Sequence, residues 1–173
     1  LNTKALIKKS KQLKIKRQVL PFNLVKSILI LWHSEQSKTD IEELKTFGHE
    51  LRKVGKEVVF LTYYPLKKLG LDMQENEIYK FCCKGDFNLF GAPKTAGLKT
   101  HLQRSFDLLI NGCLDEQVFL NTIAVYSKAS YRIGVLNNPE STEFYEISIK
   151  PNGADLCENY LIEIGKCLNK ITS

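Results

Sequence analysis

Two side chains able to do covalent chemistry stand at the ends of apolar runs in this sequence. Cys113 follows Asn111-Gly112 and precedes a segment expected to turn helical near Asp115. A thiol at a helix N-terminus has a lowered pKa and can act as a nucleophile. It also needs a base, and the sequence offers His33, His49 and His101. His49 falls inside a helical pattern. His33 closes an apolar run, so it could approach Cys113 as a Cys/His pair. One thiol and one imidazole at such ends also arise by chance, and a non-enzymatic reading is favoured.

The segment after His33 suggests a second chemistry. Ser34, Ser37 and Thr39, with Lys38, precede a helical pattern, and a helix N-terminus attracts anions. This loop has no glycine, so it is neither a dinucleotide fingerprint nor a phosphate-binding P-loop. A plain helix cap is the competing reading. The histidines show no H-x-x-x-H or H-E-x-x-H spacing, and Cys82-Cys83 is not a C-x-x-C unit, so no metal and no cofactor are expected. Asp107, Asp115, Glu116, Glu140 and Glu143 are scattered, and Asp107 sits near the start of a run, so no acid–base carboxylate pair is read.

These residues must be positioned by the elements around them. Ser27–His33 (SILILWH) is a continuous apolar run of strand length, as in a strand buried on both faces. Thr39 and Glu42 form a capping-box pattern. Ile41, Leu44, Phe47, Leu51 and Val54 then share one helical face, and Gly55 sits where a helix stops. Glu57–Tyr63 is a second strand, so the three segments read as a βαβ unit. Residues 65–105 are less regular: Ile78–Cys83 reads as a short strand and Thr95–Arg104 as a helix. Asp86–Lys94 reads as a structured loop, either an aromatic-anchored turn over a sheet edge or a binding loop. The pattern resumes with strand Phe106–Asn111, helix Glu116–Lys128, strand Tyr131–Leu136, edge strand Tyr145–Ile149 and helix Asp155–Leu168.

The alternation implies a three-layer α/β domain. Its sheet is mostly parallel, of about five to six strands, Rossmann-like or flavodoxin-like, with helices on both faces. Ligands in such sheets bind beyond the strands' carboxyl ends. That rule gathers Ser34, Ser37, Thr39, Asn111 and Asn137 as a candidate phosphate- or nucleotide-type site, with Cys113 and His33 as candidate catalytic residues.

Charge divides the chain. Residues 1–34 hold eight bases and no acid, leaving 17 bases and 19 acids elsewhere, so the segment is +8 and the remainder −2. The pI of about 9.0 therefore describes the start of the chain. Residues 1–20 are read as a basic N-terminal arm or helix, with a thin stripe of Leu6, Leu13 and Leu20, and residues 21–173 as a single α/β domain. Lys4, Lys8, Lys9, Lys11, Lys14, Lys16 and Arg17 would attract an anionic partner, nucleic acid or membrane surface. A solvated lysine-rich helix packed loosely on the domain is the plainer reading. On the partner-binding view, removal of residues 1–20 is expected to abolish that contact and leave the fold intact.

No run is long enough to cross a membrane. The chain opens on Leu1 rather than Met, so preceding residues are expected, and no export signal is read. Five cysteines at irregular spacing fit reduced, packed thiols in a cytoplasmic protein. A homodimer through an edge strand, or a structural subunit of a larger assembly, is a further possibility.

The order of segments resembles an uncharacterised family of bacterial proteins. The likeness rests on the lysine-rich start, the apolar first strand, Phe87-Asn88-Leu89-Phe90-Gly91-Ala92-Pro93-Lys94, and Phe106–Ile110. That family has no known activity, so it implies no catalytic residues. Phe106–Ile110 and Ala129–Val135 are also similar to the first half of heptosyltransferase-like glycosyltransferases. Those enzymes bind the sugar nucleotide with a second domain for which this chain has no room, so the likeness implies fold alone.

Overall fold

The apolar run at Ser27–His33 becomes β1, in the middle of the sheet, because helices cover both its faces. The computed structural model describes residues 3–13, 15–153 and 156–171. β2 is Glu57–Tyr64, β3 Tyr79–Cys83, β4 Leu108–Asn111, β5 Tyr131–Val135 and β6 Ile147–Ile149. All pairs are parallel, in the order β3-β2-β1-β4-β5-β6. That is the Rossmann order and not the flavodoxin one, and it reverses between β1 and β4.

The helices are α1 Thr3–Leu13, α2 Lys38–Lys53, α3 Ala96–Gln103, α4 Val118–Tyr126 and α5 Leu156–Lys170, with 3-10 turns at Lys84–Asp86 and Pro139–Glu143. Strand alternation sends Ile28, Ile30 and Trp32 under α2 and α5, against Leu44, Leu51, Tyr160 and Ile164. Leu29 and Leu31 face the other way, towards Leu6 of α1, Leu98 and Leu102 of α3, and Leu120 and Ile123 of α4. The result is three layers. Both edge strands are short, which leaves little unpaired backbone to recruit another chain.

Several expectations need correction. The cap of α2 is Ser37 and not Thr39: its Oγ accepts from the Asp40 amide at 3.1 Å, two residues ahead of the Thr39/Glu42 pattern. Val54 is exposed beyond the helix end rather than on its buried face. Residues 65–77, for which the pattern offered no element, contain neither helix nor strand. The predicted start of the last helix, Asp155, lies outside the described residues.

The largest change concerns the basic start. Leu6 is only 2% exposed in the core beneath α4. Leu13 packs at the margin of that cluster, whereas Leu20 joins the opposite one, so the leucine stripe is not one surface. After α1 the chain runs extended, and the Gln18 amide donates to the Ser130 carbonyl at 2.7 Å. The Arg17 guanidinium turns inward and donates to the carbonyls of Ala129 and Val125. Burial, then the neighbouring Arg132, lower its pKa to about 10. The segment thus packs onto the domain, and its removal is expected to destabilise the fold.

Candidate functional site

The reversal of strand order puts the architecture's usual ligand position between the carboxyl ends of β1 and β4. Here protein groups fill that crevice. The His33 amide donates to Gln36 Oε1 at 2.8 Å, and Gln36 Nε2 donates to the Gly112 carbonyl at 3.1 Å. One side chain therefore ties the two loops together. The Gly112 amide donates to the Leu31 carbonyl at 2.8 Å. A Cβ on Gly112 would lie 2.3 Å from Leu44 Cδ2, so loop and helix are in direct contact.

The five predicted ligand residues do not converge. Ser37 Oγ is used as the α2 cap. The Ser34 amide donates to the Tyr63 carbonyl at 2.9 Å. Thr39 is exposed and lines a groove between α2 and α5 of about 760 Å³, together with Phe47, Leu161 and Ile162. Asn111 is buried and bonded at both ends of its amide: Nδ2 donates to the Tyr145 hydroxyl at 2.7 Å, and Oδ1 accepts from the Cys113 amide at 3.1 Å. The Tyr145 hydroxyl in turn donates to Asn121 Oδ1 at 2.6 Å, and the Tyr160 hydroxyl donates to the Asn111 carbonyl at 2.9 Å. Asn137 is exposed. Its neighbour Asn138 does the local work, accepting from the Ser141 amide at 3.0 Å and donating to Glu116 Oε2 at 2.8 Å. Gln36 and Asn138 carried no motif, so spacing could not nominate them.

The Cys/His pair is not assembled. Cys113 is 2% exposed among the apolar side chains under α4, and burial pushes its pKa up to about 12. At neutral pH it is a thiol, not a thiolate. The helix begins at Val118 and not near Asp115, and a backbone bond from Asp115 to the thiol is outweighed by burial. His33 Nδ1 accepts from the Glu35 amide at 3.1 Å, its ring packs on Tyr63 with centroids 5.3 Å apart, and burial lowers its pKa. Among the described residues no hydrogen bond joins His33 to Cys113. Asp107, as its position suggested, serves the other end of the sheet, where Oδ2 accepts from the amides of Lys26 and Ser27.

All five cysteines are free, and four are buried. Thiol labelling of the native protein at pH 8 is therefore expected to modify Cys167 first. Cys82, Cys83, Cys113 and Cys157 should react only with denaturant, and rapid native labelling of Cys113 by mass spectrometry would restore it as a nucleophile. Cys157 has Asp40 and Glu43 for neighbours, with one donor atom of each within 4.8 Å of the others. Burial, then a bond to the Glu43 carboxylate, raise the pKa of that thiol.

The basic residues have a more definite arrangement. Lys11 pairs with Glu143 at 3.3 Å, Arg17 is turned inward, and Lys14 lies outside the described residues. Lys4, Lys8 and Lys16 are exposed, and Lys9 lies over the Tyr126 ring at 5.9 Å. Lys8 and Lys9 line a groove of about 430 Å³ whose other wall is Phe90, Gly91 and Ala92. On the far flank of the same loop, Lys67, Lys84 and Lys94 line a second groove of about 680 Å³. Neither lining contains an acid.

The loop between the two grooves is stiff. At its base, Asp86 accepts from the Cys83 amide at 2.7 Å and from Thr95 Oγ1 at 2.7 Å. Phe87 is buried against Phe119 and Tyr63, and it bridges to Pro93. Asn88 Oδ1 accepts from the amides of Phe90 and Ala92 at 2.9 and 3.0 Å. Gly91 has φ of 74°, a conformation that favours glycine. Phe87 is thus an anchor, but Phe90 is not: it is 83% exposed and Leu89 98% exposed.

No curated protein and no solved structure matches this chain. A family model does, along residues 1–171, and its description is that of a family of unknown function, DUF6913. The lysine-rich helix, the anchored loop and the closed crevice all fall within the matched residues, and the chain belongs to the DUF6913 family.

Proposed function

We propose that the protein is a non-enzymatic binding module that holds an anionic partner on its basic face. One observation carries the reading. Leu6 of α1 and Arg17 just beyond it face inward and fix the segment to the body, which sets Lys8 and Lys9 beside a loop flanked on its other side by Lys67, Lys84 and Lys94, with no acid among the described residues lining either groove. Clustered cations of this kind attract polyanions with steep salt dependence. The closed crevice supports the non-enzymatic half of the reading, because its polar groups already bond one another. Free thiols at all five positions fit a reducing compartment such as the bacterial cytoplasm. The likeness to heptosyltransferases stays one of fold, and no glycosyl transfer is proposed.

The test is retention on heparin as a generic polyanion. Five lysine contacts predict a loss of about 10²–10³-fold in affinity between about 50 and 200 mM salt. Lys8→Gln with Lys9→Gln should lower both the affinity and the salt slope. Binding that ignores salt, or no retention at low salt, would sink the reading.

A further inference from the structure

We infer that the anionic partner is a lipid bilayer, entered by the side chains of Leu89 and Phe90 while the surrounding lysines hold its acidic headgroups. The inference rests on the basic-face reading and adds the depth dimension to it. Two large apolar side chains stand side by side at the tip of the loop, almost wholly in water. Lys8 and Lys9 flank them on one side, and Lys67, Lys84 and Lys94 on the other. An anionic membrane has the matching layers, an acidic surface with an apolar interior behind it. Lysine stems can extend along the apolar boundary while the ammonium groups stay among the headgroups.

The loop suits insertion rather than adaptation. Four hydrogen bonds hold its turn, counting Asn88 N to the Ala92 carbonyl at 2.9 Å and Gly91 N to the Asn88 carbonyl at 2.8 Å. The tip is therefore ordered before it meets a partner, so binding costs little further ordering. Single-stranded nucleic acid is the less fitting occupant. It rewards arginine and runs of aromatic platforms, whereas every basic residue lining the two grooves is a lysine and the most exposed residue of the tip, Leu89, is aliphatic.

Vesicle flotation tests the inference, using the full chain with phosphatidylcholine alone or with added phosphatidylserine. The expected result is binding only with phosphatidylserine, lost at high salt. Leu89→Ser with Phe90→Ser should weaken vesicle binding about tenfold or more, since each removes a large apolar side chain from the bilayer. Heparin retention should not change. Both positions are exposed, so the thermal midpoint should match wild type. If the wild type holds heparin or single-stranded DNA but never floats, the bilayer is wrong and the basic-face reading stands. If it binds nothing anionic, both fall. Flotation that the tip variant leaves unchanged overturns insertion. So does light scattering that shows a wild-type dimer turned monomeric by the tip variant, because the tip would then be a self-contact.

Discussion

Glu146→Ala is expected to destabilise the fold by about 3–5 kcal/mol, the cost of leaving a buried charge without its partner. The partner is Arg132 on β5, whose side chain is 6% exposed. Its Nε and Nη2 donate to the two Glu146 oxygens at 3.0 and 2.7 Å, and Nη1 donates to the Ala124 carbonyl at 3.3 Å. The Arg132 amide also donates to Glu146 Oε2 at 2.8 Å. Arg17 lies close enough that Arg132 depresses its pKa while Glu146 raises it. Removing the carboxylate thus leaves two guanidinium groups facing each other in a poorly hydrated place. Domains of this size have only about 5–15 kcal/mol in hand, so the urea midpoint should fall steeply. Glu163→Ala, which breaks the exposed pair with Lys166, should change stability by no more than about 0.5 kcal/mol. Arg132→Met combined with Glu146→Leu should recover much of the loss, because no buried charge is then orphaned. Equal losses at Glu146 and Glu163 would mean that the buried pair has no special weight.

Leu6→Ala should cost about 2–5 kcal/mol, the range for large-to-small changes at closed core sites. The comparison that gives this meaning is Lys4→Ala, on the same helix but exposed, expected within about 0.5 kcal/mol. Removing residues 1–20 goes further. It uncovers the outer side of α4 and frees the Val125 and Ala129 carbonyls from Arg17. That shortened chain is expected to lose its cooperative unfolding transition by circular dichroism. A shortened chain with the wild-type midpoint would return α1 to the status of a dispensable arm.

The regular elements were legible because their periods are clean. The run SILILWH has no polar interruption and lies buried on both faces, and the 3.6-residue pattern of α2 holds from Ile41 to Leu51. The crossover after β2 was not legible, because it has neither period and forms no helix. The role of the basic segment was hidden for a different reason. A lysine-rich composition describes the outer face of the segment, while its inward contacts depend on Leu6 of α1 and on Arg17 beyond it, whose carbonyl partners lie more than 100 residues away. Gln36, a loop residue with no motif, was hidden because its partner Gly112 lies 76 residues on, and the pairing of Arg132 with Glu146, only 14 residues apart, because no spacing rule links a strand residue to the loop beyond the next turn. Strand order places a crevice at these strand ends, but the burial of Asn111 and its bonds to Tyr145 and Cys113 depend on residues that no spacing connects. Phe87 and Phe90 look alike in sequence, and the turn between them sends one inward and the other out.

The pairing of β1 with β4 also sets a schedule. Ile28 lies opposite Leu108 in the middle of the sheet, and the residues that join there are about 80 positions apart in the chain. At ribosomal speeds of about 5–20 residues per second, β1 emerges roughly 4–16 seconds before its central partner. The helix made first docks among the last, since Arg17 must wait for Ala129. During that interval β1, α2 and β2 can form a half-sheet, open along Ile28–Leu31 and bare on the side later covered by α4. A nascent chain paused before residue 108 should therefore be a strong client for chaperones, and one paused after residue 135, with β4, α4 and β5 all released, a much weaker one.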